Sequence, residues 1–382
     1  MATRTAIVVG GGIGGLTSAV ALADRGWEVT LIERAPALDP VGSGLALGPN
    51  ALRALDTLGL GDPVRDLAAF QGDAGIRRAS GAWLSRTSAE AAVARYGDPT
   101  VLLMRSALVD LLAGRLDRAE TLLGTSVTSV DPDLGIVRTD DGRELRADLV
   151  VAADGIHSAI RATVFPDHPG PQYAGVTAWR FVVEADEPPM PSETWGRGLV
   201  CGVMPLAGNR VYCYMTAVAP AGASAPDGEK AELTRLFGAW HAPIPELVGR
   251  AGPILRNDVF HLVEPLPVMH RGRVALLGDA AHAMTPNLGQ GACQAIEDAV
   301  VLAHEMTSGG GLPAYTAARL ARTSAIVERS ARIARLTKLS NPVAVAARDA
   351  AIRAMGLLGP TALLRQGDSV FTWTPPRDTP AQ

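Results

Sequence analysis

Cysteine is scarce in this chain: Cys201, Cys213 and Cys293 are the only three in 382 residues. They have no metal-ligand spacing and cannot build a disulfide framework, so a reducing cytoplasm is the expected setting. Neither charge sign dominates, with 35 basic and 39 acidic residues and a net charge of −4. Nucleic acid and anionic membranes both call for a clustered basic excess, so neither is expected as a main partner. Aromatic residues make up only 4% of the chain, which predicts a pocket lined mainly by aliphatic side chains. The 41 glycines and 27 prolines follow no period, which excludes collagen and low-complexity disorder. No internal repeat is visible, and the oligomeric state is not legible.

One uncharged run, Thr5 to Ala23, has the length of a membrane span. Five glycines between Gly10 and Gly15 break it, and no cleavage site of a secretory signal follows. A strand, a glycine turn and a helix explain it better, so no membrane span is expected. Ala6–Val9 reads as a buried parallel strand, Leu16–Arg25 as a helix ending at Gly26, and Glu28–Ile32 as a second strand. Arg105–Leu116 reads as a helix. Ser126–Val130, Gly135–Thr139 and Glu144–Ala152 follow as strands, with the Asp140-Asp141-Gly142 turn before the last.

The middle of the chain then changes character. Gly175–Val183, Leu199–Met204 and Arg210–Thr216 read as an antiparallel sheet, and Arg273–Leu277 returns to an all-apolar strand. From Gly289 to Arg365 the pattern is helical, broken at Gly309–Gly311 and at Gly359-Pro360, and a Pro-rich tail from Thr374 ends loose. The fold class is therefore α/β: a Rossmann-type dinucleotide-binding domain with an inserted mixed β-sheet domain and C-terminal helices. Residues 1–71, 99–168 and 269–340 are assigned to the first domain, 72–98 and 169–268 to the insertion, and 341–382 to the helices and tail.

Three segments carry chemistry. Gly10, Gly12 and Gly15 form G-x-G-x-x-G, with Ile13 and Gly14 inside it, between a strand and a helix. Gly10 permits the tight turn, Gly12 lets the backbone approach a pyrophosphate, and Gly15 lets helix and strand pack closely. The helix N-terminus offers free N–H groups to the phosphates. Glu33, followed by Arg34, ends the second strand where a ribose would sit. The motif alone does not separate NAD from FAD. The second segment, Asp154-Gly155 with Ser158 and Arg161, reads equally well as a capped helix start. The third, Gly278-Asp279 followed by Pro286, Gly289, Gln290 and Gly291, delivers an acid and then a glycine-rich helix start. Asp279 can bond a polyol chain, and the helix start can face an anion.

These three motifs in this order resemble the single-component FAD-dependent aromatic hydroxylases, the p-hydroxybenzoate hydroxylase family, over most of residues 4–335. Tyr173-Ala174-Gly175, Trp179-Arg180 and Trp240-His241 are similar to the salicylate, 6-hydroxynicotinate and urate hydroxylase branch. The resemblance implies that Gly42–Asn50, including Gly44, lies against the flavin, that Arg105 reaches the pyrophosphate, and that Val127 packs on the adenine. It also implies an FAD-dependent monooxygenase in which NAD(P)H reduces the flavin and O2 forms a C4a-hydroperoxyflavin that hydroxylates an aromatic or heteroaromatic small molecule. The alternative on the same fold is an epoxidase or tailoring oxygenase of a terpenoid or polyketide.

Ala46, Trp179, Val200 and Tyr212 fall where the family meets its substrate. Ala46 replaces the His of 6-hydroxynicotinate hydroxylases and Val200 the Arg of urate hydroxylase, which argues against both substrates. Tyr212 could orient or deprotonate a phenol. His282 reads as fixing its loop. A flavin halogenase would show Trp-x-Trp-x-Ile-Pro, and a plain NAD-linked dehydrogenase would not need Asp279 and its glycine helix.

Overall fold

The structure is a computed structural model that describes residues 3–38, 43–68, 73–187 and 189–377. Gly42, and the tail from residue 378 onward, lie outside the described residues.

Apolar β-branched runs build the central sheet. Strands Thr5–Val9, Glu28–Glu33, Ala119–Leu123, Leu149–Ala152 and Val274–Leu276 are parallel, and His270–Arg271 turns back antiparallel at one edge. Leu149–Ala152 is buried along its whole length, as strands covered on both faces must be. Helices Ile13–Ala23, Arg105–Ala113 and Gly291–Ser308 pack on this sheet in one continuous core. Ile13–Ala23 is buried at almost every position, which accounts for its lack of charge.

The expected strand Glu144–Ala152 is two strands. Glu144–Arg146 joins a three-stranded antiparallel sheet with Val127–Asp131 and Ile136–Thr139, while Leu149–Ala152 enters the parallel sheet. Asp148 lies between them and takes hydrogen bonds from the backbone N–H (3.0 Å) and hydroxyl (3.2 Å) of Thr5.

The second large sheet has seven strands. Residues 172–184, 210–218, 199–206 and 192–195 run side by side, with Leu255–His261 at one edge and 74–78 and 83–87 at the other. Strands Ala74–Arg78 and Trp83–Thr87 thus belong with the inserted sheet although they come early in the chain. Helices Glu229–Phe237 and Ile244–Arg250 cover one face, burying Trp179, Phe181, Leu233 and Phe237. The opposite face is left for the site. A two-stranded ribbon, Gly44–Leu47 with Val101–Met104, lies between the two bodies. The C-terminal helices then fold back: Pro342–Leu357 packs on strand Trp83–Thr87, and 360–371 reaches the helix Ala89–Tyr96.

Candidate active site

Two cavities run through the molecule. The first is a cleft of about 500 Å3 over the carboxyl ends of the parallel strands, lined by Gly10–Gly12, Glu33, Arg34, Arg105, Val127 and Asp154 among others. Ligand sites of open α/β sheets lie at such strand ends. Gly10 sits at φ +106°, and a Cβ there would fall 2.3 Å from the Ala153 carbonyl oxygen. A Cβ on Gly15 would fall 1.8 Å from the Gly10 carbonyl oxygen, so that glycine lets the helix start against the turn. A Cβ on Gly12 meets no protein atom within 4 Å and would point into open space. Ile13 is buried behind the turn, and a Cβ on Gly14 would press on Leu277 and Ala295. These last two shape the turn from behind, and neither lines the cleft.

Glu33 does more than sequence reasoning assigned to it. Its carboxylate accepts from the backbone N–H groups of Gly11 (2.5 Å) and Ala35 (2.8 Å), tying the glycine turn to the end of the second strand. Each oxygen keeps a further lone pair for a hydroxyl. Asp154 accepts from the Ile160 N–H at 3.2 Å through one oxygen, and its other, buried oxygen has no partner. An orphaned acceptor in a cleft is a demand for a donor such as a polyol hydroxyl. Arg161 was read only as part of a motif. It is buried, donating to the carbonyls of Ile156 (2.7 Å) and Ala280 (3.0 Å), and so fastens the Asp154 segment to the Asp279 segment.

The second cavity, about 620 Å3, is walled on one side by Gly44–Ala46, Asp279 and residues 284–292 and on the other by the open face of the seven-stranded sheet. Asp279 opens into it. Enclosure pushes its carboxyl up, and His282 and Arg105 pull it back. A Cβ on Gly291 would lie 3.9 Å from its Oδ1, placing the acid beside the start of helix Gly291–Ser308. Pro286 and Gly289 line the same wall, in a short 3-10 turn and a left-handed cap at φ +61°. His282 fixes the loop: its Nε2 lies 2.5 Å from Asp298, which also accepts from the Gly278 N–H at 2.9 Å.

Two sequence expectations, Trp179 and Val200, need correction, while Gln290 and Tyr212 stay on the cavity wall. Trp179 does not line the cavity. Side chains alternate along a strand, and Trp179 points to the helix-covered face, 1% exposed, with its Nε1 donating to Glu229 at 2.5 Å. Val200 lies on the open face but is packed with Leu84, Trp195 and Ile352 and does not line this cavity either. Gln290 lines the cavity, and its amide oxygen accepts from Asn50 (3.0 Å) and Gln294 (3.2 Å) in a buried network. Tyr212 is at the site, stacked over Gly44, but burial pushes its phenol up while Arg180 works against that. At neutral pH it is a protonated hydroxyl, suited to orienting a substrate and unsuited to taking a proton.

Sequence reasoning also missed Glu193, Tyr214, Leu364 and Phe371, which line the cavity with Arg180 and Ala46. A lone acid in the short strand Ser192–Trp195 was the signal for the first.

The family model described as FAD binding domain matches residues 3–330. The chain belongs to the FAD-dependent aromatic hydroxylases. It is a flavin-dependent monooxygenase, and the cleft and the chamber are where its residues fit FAD: an open cradle at Gly12, an unpartnered acceptor at Asp154 and a chamber-facing acid at Asp279. This hydroxylase is 40% identical over 363 residues to the aurachin C monooxygenase/isomerase of Stigmatella aurantiaca, covering 92% of this chain and 94% of that one. It is 36% identical over 311 residues to the FAD-dependent urate hydroxylase of Klebsiella pneumoniae, covering 78% and 80%. The crystal structure of Klebsiella pneumoniae HpxO complexed with FAD and uric acid superposes with a TM-score of 0.85 at 30% identity, covering 94% of this chain and 97% of that one. No helix among the described residues is long and apolar enough to cross a membrane.

Proposed function

We propose that this flavoprotein takes electrons from NAD(P)H and inserts one atom of O2 into an aromatic or heteroaromatic small molecule held in the 620 Å3 chamber. The observation that carries the reading is that one cavity is bounded both by Asp279 with its glycine loop and by the open face of the inserted sheet. Bound FAD would supply electron transfer and oxygen activation.

The chain's own part is to bind, orient and exclude water. Gly10–Gly12, Arg34 and Arg105 would hold the pyrophosphate, with Val127 against the adenine. Glu33, Asp154 and Asp279 would take the hydroxyls, and the helix start at Gly291 would face the ring. Ala46 would border the ring's other face, and Gly44 leaves room there for the Tyr212 ring. Tyr212, opposite Gly44, would orient the substrate, and Leu364 and Phe371 close the far side.

The alternative, oxygenation of a terpenoid or polyketide, uses the same chamber and draws support from its apolar lining by Leu102, Met204, Leu206 and Phe371. The three thiols are free and buried, which supports a reducing compartment. The first experiment is an absorbance spectrum of the purified protein, followed by NAD(P)H oxidation against phenolic acids, N-heteroaromatics and terpenoid phenols. Flavin bands with substrate-stimulated oxidation are expected. A colourless protein that FAD cannot reconstitute would overturn the reading.

A further inference from the structure

The open face of the seven-stranded sheet carries one polar row. Strand register sets Arg180 beside Tyr214, Tyr214 beside Gly202 and Gly202 beside Glu193. Directly opposed residues project from the same face, and Arg180, Tyr214 and Glu193 all line the chamber. Three strand spacings separate the two charged ends, about 14 Å along the sheet. Arg180 occupies the end near Tyr212, with Nη1 donating to Asn257 at 3.3 Å. Glu193 occupies the other.

Gly202 makes the row possible. A Cβ there would fall 2.0 Å from the Tyr214 ring, so the ring lies flat across the intervening strand. Its hydroxyl thereby reaches Glu193 and donates to Oε1 at 3.0 Å, while Trp195 Nε1 donates to Oε2 at 2.8 Å. Among the described residues these two neutral donors are the partners of Glu193, and no ion pair joins them. Enclosure pushes the carboxyl up, and the two donors only partly offset this. Each oxygen has a lone pair left, and the remaining open direction is the chamber. An acceptor enclosed without a cation is stabilised by any donor that whatever fills the chamber can bring.

We propose that Glu193 is the specificity-determining acceptor of the substrate chamber, taking a hydrogen bond from a ring N–H or hydroxyl of an aromatic substrate. This rests on the reading of the chamber as the substrate site. Tyr214 and Gly202 act through Glu193: they hold its carboxylate in place and touch no reacting atom.

The test uses the FAD-loaded protein and isothermal titration calorimetry with two probes, 2-naphthol and 2-methoxynaphthalene, which differ in the donor hydrogen and the methyl that replaces it. The native protein should bind 2-naphthol about tenfold more tightly, the worth of one hydrogen bond to a charged acceptor. Glu193→Leu should bring that ratio to about one without weakening the methoxy probe, and Glu193→Gln, which keeps a carbonyl, should leave about threefold. FAD content and the melting curve report whether each variant is folded. If Glu193→Leu does not fold, the near-isosteric Glu193→Gln carries the comparison alone. An unchanged ratio in a folded variant overturns the role of Glu193. A native protein that keeps its FAD but binds neither probe overturns the reading of the chamber itself.

Discussion

At the scale of single residues, two glycines of one motif fail in different ways. Gly15→Ala puts a methyl 1.8 Å from the Gly10 carbonyl oxygen and should disrupt the fold as well as the cofactor site. A Cβ at Gly12 meets no protein atom within 4 Å, so Gly12→Val should leave the apoprotein folded while removing FAD. Circular dichroism with flavin absorbance separates the two outcomes, and a yellow Gly12→Val protein would misplace the pyrophosphate. Tyr212→Phe keeps the ring over Gly44 and loses the hydroxyl. Stopped-flow measurement should show product formation slowed about tenfold and flavin reduction little changed, because an orienting bond matters at oxygen transfer. Equal slowing of both steps would remove Tyr212 from that role.

At the scale of elements, the two long helices Gly291–Ser308 and Gly311–Thr337 are joined by buried charge. Arg319, fully buried, donates to Asp298 at 2.6 Å and, through a very short bond, to Glu297, while Arg322 also reaches Glu297 at 2.7 Å. Burial alone would push Asp298 up, but His282 and Arg319 bring it down to about 2 from 3.8. Glu297 is likewise lowered despite its burial, mainly by Arg319 and Arg322. A carboxyl lowered on folding adds stability above its unfolded value and loses it as pH falls, so Asp298's contribution should fade between about pH 4 and pH 2. Arg319→Leu should cost about 3–5 kcal/mol in denaturant unfolding, since it removes the fully buried cation shared by Asp298 and Glu297, and should move acid unfolding to higher pH. A loss below 1 kcal/mol would show that water or a rearranged Arg322 replaces it.

Legibility in the sequence also differs by element. The nucleotide-binding half was readable because its signals are local: a run of four apolar residues, a glycine turn at Gly10–Gly15 and an acid at Glu33. The Glu144–Ala152 pattern runs as one strand in the sequence because it continues across Asp148, where the chain changes sheets. The substrate face was hardest. Trp179 and Arg180 are neighbours in sequence and lie on opposite faces, and no local signal tells which face a strand buried on both sides gives to the chamber. Glu193 and Tyr214 meet across two strand boundaries through a hole at Gly202, a long-range fact.

At the scale of the whole molecule, the C-terminus closes the site. Sequence reasoning set residues 341–382 apart as helices and a tail, yet Leu364 and Phe371 line the chamber. Arg53 holds this segment by donating to the carbonyls of Trp373 (2.9 Å) and Phe371, and Arg322 by donating to Ser369 and Val370 (2.7 and 2.8 Å). Truncation after Leu358 should leave the central sheet folded and open the chamber to water. The expected result is brighter, more quenchable flavin fluorescence and less product per NAD(P)H consumed. Unchanged coupling would mean that the strap is dispensable.

The strand order of the parallel sheet has a consequence for birth of the protein on the ribosome. Thr5–Val9 must pair with Leu149–Ala152, and that strand in turn with Val274–Leu276, after the whole inserted sheet has been made. The glycine turn emerges first, yet the wall it faces is supplied by Asp154 and Ile160, and the second cavity by Asp279 and Gly291. Cofactor capture is therefore a late event in synthesis. Until then the apolar strands of the N-terminal half lack the partners that cover them in the finished sheet.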